Sequence, residues 1–377
     1  MAAAAVLAAG CVAMPLPVPQ AEPEETLPYM DTSLSFEERA ADLVSRMTLE
    51  EKASQLGNDA ASINRLGVSK YNYWSEALHG VARSGEATSF PYSIAMAATW
   101  DPELIQQIAS ATSDEARGYS NGKGKGLSYW SPTINMARDP RWGRNHETYG
   151  EDPFLTTQIG SGFVKGMQGD DEKYLKTIAT IKHYAANNSE YNRHNGSSNM
   201  DDRTLREYYT RAFKGVERQA DVASVMSSYN RVNEIPASAN TYLLDTLLRR
   251  TFGFDGYVTS DCGAIQNVYA DHKYQPAGWD EPVDAAGATA VCIQAGTDID
   301  CGSVYKANAV EAVQRGLMSE DDIDLALVRL FTARMQTGEF DPAGSVPYRS
   351  EDYSFDSQVE NAEHTCLLYT SPSPRDS

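Results

Sequence analysis

Short apolar runs at residues 128–137, 177–184, 223–229 and 256–261 alternate with stretches of helical spacing. This alternation constrains the fold more than any other feature of the chain. The run Tyr257-Val258-Thr259 is β-branched and short, as a buried strand requires. Residues 202–219 and 239–250 carry helical spacing. In the second, Asn240 stands as a cap ahead of Leu243, Leu244, Leu247 and Leu248 on one face. Strands that alternate with helices pair in parallel through right-handed crossovers, which leaves a doubly wound sheet or an eight-fold barrel. A length of 377 residues suits one barrel of roughly 250 residues with extensions.

Each run ends in polar residues. The first gives way to Arg138-Asp139-Pro140-Arg141-Trp142-Gly143-Arg144, with Glu147, Glu151 and Asp152 close behind. The second ends in Lys182-His183, the third in Tyr229-Asn230 and the fourth in Ser260-Asp261. Tyr73-Trp74-Ser75-Glu76 adds another cluster near the start. Strand ends are where parallel α/β folds place their chemistry. Taken singly, each cluster has a plain structural reading: Arg138–Asp139 as an ion pair, Lys182 as a surface charge, His183 as a core histidine, Asp261 as a turn former. Together, forked cations, imidazole and indole at successive strand ends suit a polyhydroxylated ligand.

With 52 acidic against 32 basic residues and a net charge of −20, the chain lacks the basic stripe of a nucleic-acid or anionic-membrane binder. Residues 1–25 read as an export segment and spacer. Met1 to Ala13 is small and apolar, too short to span a membrane, and Pro15, Pro17, Pro19 and Pro23 follow. The expected location is secreted or periplasmic, with Ala8-Ala9-Gly10-Cys11 offering a lipoprotein site. Of five cysteines, Cys262, Cys292 and Cys301 lie in the body. That odd number leaves either of the last two to bridge to Cys262, and no pair has zinc spacing. Gly122-Lys123-Gly124-Lys125-Gly126 lacks the context of a phosphate loop, and no cofactor is implied. Residues 341–364 read as a connector whose last part starts a helix that does not develop, and 365–377 as a non-native tail.

The motifs RDPRWGR (138–144), KHYAANN (182–188), DDRTLRE (201–207), MSSYN (226–230) and GYVTSDCGAI (256–265) resemble, in this order, the catalytic barrel of glycoside hydrolase family 3. The likeness runs from about residue 36 to about residue 348. It implies a TIM-like (β/α)8 barrel, regular or irregular, over residues 26–340. Asp261 corresponds to the nucleophile of a retaining mechanism. Lys182, His183, Arg144 and Arg193 match residues that hold hydroxyls of the terminal sugar. Tyr229 matches the tyrosine beside the nucleophile, Met226 a residue lining the subsite, and Glu76 the carboxylate at the far edge of the ring.

YWSEALHGVA (73–82) and TSDCGAI resemble the xylosidase-like branch, which implies an exo-acting β-1,4-xylosidase working on xylo-oligosaccharides. A β-glucosidase or α-L-arabinofuranosidase of the same family is the alternative. Outside the family stand a non-catalytic sugar-binding barrel and a Schiff-base lyase built on Lys182. Glu76 reaches one methylene deeper than Asp toward the space of a hexose hydroxymethyl, a difference worth about 1–3 kcal/mol. Cationic neighbours are expected to hold the Asp261 pKa low. In most of the family the acid/base Glu comes from a second, C-terminal α/β sandwich domain, and no acid in this sequence matches it. Losing that group is expected to leave weak turnover of natural xylosides, by a factor of about 10²–10⁴.

Overall fold

The computed structural model describes residues 27–370. The export segment with Cys11, and residues 371–377 of the C-terminal tail, lie outside them. A central parallel sheet has the order β1 (Ser128–Tyr129), β2 (Ile178–Tyr184), β3 (Ser224–Ser227) and β4 (Tyr257–Ser260). The register sets Thr180 opposite Ser224, and Ser224 opposite Tyr257. A period of two sends Ile181, Val225 and Val258 to one face of the sheet and Met226 and Tyr257 to the other, so the sheet divides two apolar clusters.

Mixed α/β architecture with parallel strands is therefore observed. Among the described residues the central sheet has four strands rather than eight, and one further short parallel pair, Ser197–Ser198 with Arg231–Val232, lies in a separate small sheet. Single hydrogen bonds carry the curl further on both flanks. Ser260 N–H donates to Ile299 O, Asp300 N–H to Leu56 O, Tyr73 N–H to Asn58 O and Trp130 N–H to Ser75 O. The first expected strand is shorter than its apolar run because Pro132 has no N–H to give to the ladder. Bonds to β2 nonetheless persist through Ser131 O, Pro132 O and Ile134 N–H.

Helices cover the sheet. Two of them open identically in sequence: Asp101 caps Pro102–Lys123, and Asp152 caps Pro153–Gln168. Each Asp accepts from first-turn N–H groups while Pro occupies the position whose N–H has no partner. The two helices approach closely, since a Cβ on Gly162 or Gly166 would strike the carbonyls of Pro102 and Gln106. Residues 202–220 are helical as expected, with a widened π-type turn over Leu205–Tyr209. Asn240 Oδ1 accepts from Leu243 N–H at 3.1 Å, so the expected cap forms.

The C-terminal part differs from expectation. A long helix runs over Glu320–Gln336, and residues 343–353 fold back as three short turns. A helix does develop, over Ala362–Thr370. Asn361 Oδ1 caps His364 N–H at 2.8 Å, and Leu367 and Leu368 are partly buried against the second apolar cluster. Apolar residues facing a ready surface outweighed the Ser/Pro composition just beyond. No helix among the described residues is long and apolar enough to cross a membrane.

Candidate active site

Parallel pairing brings the C-terminal ends of β2, β3 and β4 to one rim, and the polar clusters meet there. Asp261 follows β4 directly. Its backbone N–H donates to Ser227 O at 3.0 Å, which pins the residue to the end of β3. The chain then turns at Gly263, whose φ of 83° favours glycine. Gly263 N–H donates to Cys301 O, and Cys262 is disulfide-bonded to Cys301. Cys292 is the buried free thiol. The loop behind Asp261 is thus braced by one of the two pairings the sequence left open.

The Asp261 side chain is buried. Oδ1 accepts from Cys262 N–H at 2.8 Å, while Oδ2 has no hydrogen-bond partner. His183 Nε2 lies 3.6 Å from Oδ2. Burial raises the Asp261 pKa above the ordinary carboxylate value. Lys182, the Cys262 N–H, Arg144 and Tyr229 pull it down without cancelling that effect. The expectation of a lowered pKa is corrected here. The cations are near, but each has its own carboxylate.

Lys182 Nζ donates to Glu76 Oε2 at 2.9 Å, and Lys182 is buried rather than a surface charge. Arg144 forks onto Glu147 at 2.9 and 2.7 Å. Arg193 donates to Glu190 Oε2 at 3.0 Å and stacks 4.6 Å above the Tyr229 ring. Tyr229 in turn donates from its hydroxyl to Cys262 O at 3.0 Å. Six of the expected residues, Glu76, Arg144, Lys182, His183, Arg193 and Tyr229, are therefore linked to Asp261 by contacts or close charge. Met226 is fully buried in the core cluster with Trp130 and Tyr257.

Two partners lacked a sequence signal. Glu190 joins Arg193 to the Trp142 indole, whose Nε1 donates to Glu190 Oε1 at 3.1 Å. Trp142 is itself buried, so its ring braces the rim instead of lying open to a ligand. Asn135 encloses His183 by three hydrogen bonds. Neither position falls in a charged cluster at a strand end. His183 is neutral: burial first, then Arg144, Lys182 and Arg193, hold its pKa well below the ordinary imidazole value.

Chemically, the rim presents one carboxylate oxygen without a donor, surrounded by cations that can neutralise it in part. Such a group can attack an electron-poor carbon. The remaining carboxylates do not look like proton donors, because Glu76, Glu147 and Glu190 are each tied to a cation. Burial raises the Glu147 pKa, but the Arg144 fork outweighs it and the net shift is downward.

A carboxylate at the tip of a parallel strand, ringed by cationic and polar side chains, suits the class of α/β glycosidase-like sites. The model of the glycosyl hydrolase family 3 N-terminal domain matches residues 47–333, and the chain belongs to that family. It is 41% identical over 346 residues to a xylan 1,4-β-xylosidase of Xylanibacter ruminicola, covering 88% of this chain and 39% of that protein. An exo-1,4-β-xylosidase of Emericella nidulans is 43% identical over 346 residues, covering 87% and 44%. Among solved structures, a family 3 exo-β-xylosidase in complex with a xylobiose aziridine activity-based probe superposes with a TM-score of 0.85. The two are 40% identical over 92% of this chain and 46% of that one. A β-glucosidase from Erythrobacter marinus gives 0.78 at 27% identity, covering 92% of this chain and 50% of its own. The chain spans about two-fifths of the length of the curated relatives.

Proposed function

We propose that this chain carries the nucleophile half of an exo-acting, retaining β-1,4-xylosidase that removes terminal xylose from xylo-oligosaccharides. The observation that carries this reading is the Asp261 Oδ2 atom, buried, without a donor, and set among Lys182, Arg144 and Arg193. Oδ2 attacks the anomeric carbon, the bond from that carbon to the leaving oxygen breaks, and a glycosyl ester forms on Asp261. Water then cleaves the ester with net retention. Lys182, His183, Arg144 and Arg193 bind sugar hydroxyls, Tyr229 flanks the nucleophile, and Met226 supports the subsite from the core. Glu76, held by Lys182, closes the ring's far edge and favours a pentose over glucose. The similarity to named β-xylosidases at 41–43% identity, against 27% for the β-glucosidase, supports xylose over glucose.

Departure of a natural sugar needs a proton at the leaving oxygen. In a retaining site the donor is a second carboxyl about 5–5.5 Å from the nucleophile. The ion-paired Glu76, Glu147 and Glu190 are poor candidates, so a Glu outside this chain's matched motifs fills that role in our reading. We further read residues 26–340 as one irregular barrel and residues 1–25 as an export signal, placing the protein in the periplasm or outside the cell.

A 2,4-dinitrophenyl 2-deoxy-2-fluoro-β-xyloside tests the central claim, since its leaving group needs no proton. The expected result is a stoichiometric burst of dinitrophenolate with a fluoroxylosyl adduct on the peptide containing Asp261. An adduct on another residue, or no adduct, overturns the assignment. The glucose-configured probe is expected to label more slowly.

A further inference from the structure

His183 contributes more than a polar surface, and the cause lies one residue behind it. We infer that Asn135 is a positioning residue that fixes His183 as the Nδ1–H tautomer, so that Nε2 presents a lone pair to the space beside the Asp261 carboxylate. Asn135 is buried, with 3% exposure. Its Oδ1 lies 2.7 Å from the His183 backbone nitrogen and 3.0 Å from Nδ1. Its Nδ2 lies 2.8 Å from the His183 carbonyl oxygen. A backbone N–H can only donate and a carbonyl can only accept, so this pair of contacts determines which way the amide faces. Oδ1 therefore points at Nδ1, and because an amide oxygen only accepts, Nδ1 must carry the hydrogen. A neutral ring then has no hydrogen at Nε2.

Neutrality follows from the surroundings. Arg144 beyond β1, Lys182 on β2 and Arg193 in the loop after β2 all oppose a positive charge on the ring, as does its burial at 1% exposure. Asp261 is the anion that directly faces it. Glu76, Glu147 and Glu190 stand further out, each engaged by one of the cations. Burial and the three cations prevail over the single facing carboxylate.

Two acceptors, His183 Nε2 and Asp261 Oδ2, consequently stand 3.6 Å apart with no proton between them. Their separation, longer than a hydrogen bond, is what two facing acceptors require. In the opposite tautomer, Nε2–H would donate to Oδ2 and draw electron density from the nucleophile. The arrangement also sets what the ligand must offer. Resting on the glycosidase reading above, the sugar hydroxyl that reaches His183 donates its hydrogen there. The side-chain hydrogen bonds of Asn135 all go to His183, and it acts through that residue.

The test starts with the unaltered protein labelled with ¹⁵N-histidine, whose six histidines are sorted by comparison with His183→Gln. The expected His183 signals around neutral pH are a protonated, pyrrole-type Nδ1 and an unprotonated, pyridine-type Nε2. A pyrrole-type Nε2, or an imidazolium at that pH, overturns the inference. This readout needs no turnover, so it stands even if Asp261 fails to label and the glycosidase reading falls. The second arm is Asn135→Asp. A carboxylate at Nδ1 raises the His183 pKa, and the protonated ring then donates from Nε2 to Asp261. One unit below the raised pKa only about a tenth of the rings remain neutral, so labelling by the fluoroxyloside falls about tenfold there and recovers as pH rises. A loss of labelling that is equal at all pH values means a merely structural role and overturns the proposal. Should Asn135→Asp not fold, the spectrum of the unaltered protein decides alone.

Discussion

Two buried aspartates stand at opposite ends of β4, and they are equipped differently. Asp298, at the start of the strand, is 1% exposed and fully engaged. Its Oδ1 accepts from Arg329 at 2.8 Å, and its Oδ2 from Arg249 at 2.9 Å and from Val258 N–H at 2.7 Å. Asp261, at the end of the strand, has three cations nearby yet accepts one backbone hydrogen bond and leaves Oδ2 bare. Both aspartates are buried among cations. What differs is where the donors are spent. Near Asp298 the guanidinium groups go to the aspartate itself, whereas at the rim Lys182, Arg144 and Arg193 go to Glu76, Glu147 and Glu190. A satisfied buried carboxylate holds structure together. An unsatisfied one costs stability and remains free to react.

The strongest way to break the comparison is Asp261→Asn. Fluoroxyloside labelling should fall by about 10⁴-fold or more, as with other lost nucleophiles. Stability should move in the opposite direction. The Asp261 pKa is raised on folding. Its contribution is therefore favourable at acid pH and is lost as pH rises through the folded pKa. The variant removes that loss, so its melting temperature should exceed that of the unaltered protein at neutral pH and converge with it in acid. A variant that melts lower at neutral pH contradicts the reading of Asp261 as unsatisfied.

Asp298→Ala should do the reverse. It strips the partner from Arg249 and Arg329 and leaves the Val258 N–H bare, at a cost of about 3–5 kcal/mol in urea unfolding. Labelling of whatever remains folded should persist, because nothing at the rim touches Asp298. Third in size is Cys262→Ser with Cys301→Ser. The two cysteines are 39 residues apart in sequence, and losing the link should cost about 2–4 kcal/mol. Unlike Asp298→Ala, this change should also slow labelling, since the link braces the loop that carries Asp261. Equal labelling with and without the link would separate the brace from the chemistry.

Only part of this contrast could be read from the sequence. The β-branched run ending at Asp261 and the Asn240 cap depend on local patterns, and both formed as expected. The family motifs likewise located the rim residues. What escaped depends on distance. Spacing alone could not choose Cys301 over Cys292, because both lie in separate elements whose approach to Cys262 is set by packing. The direction of the Asp261 shift came out wrong for a similar reason. Lys182, Arg144 and Arg193, expected at neighbouring strand ends, were counted as its partners, but three glutamates had claimed them and burial prevailed. Asn135, inside an apolar run, carries no charge to attract notice. The helix over Ala362–Thr370 formed because a surface was waiting for Leu367 and Leu368, which no local pattern reveals.

Glu217 supplies the finest test, because it shows that a bare oxygen is not sufficient. It is 6% exposed, its Oε2 has no partner, and it lies on the helix Arg211–Ala220 rather than at a strand end. Its charged neighbours are Asp221 and Asp255, not cations. Burial first, and then those two carboxylates, raise its pKa to about 7. A group so placed is about half protonated at neutral pH and has no cation to favour its charged form, whereas cations support the charge on Asp261. The sign of its effect on stability follows directly. With the folded pKa above the unfolded value of about 4.5, its contribution is present below about pH 4.5 and lost as pH rises through about 7. Glu217→Gln should therefore match the unaltered protein in acid and exceed it by up to about 3 kcal/mol near pH 8, with labelling of Asp261 unchanged throughout. Chemical unfolding at the two pH values measures it. A variant equally stable to its parent at both would mean that Glu217 finds a partner in solution, and the distinction between a bare oxygen among cations and one among carboxylates would lose its support.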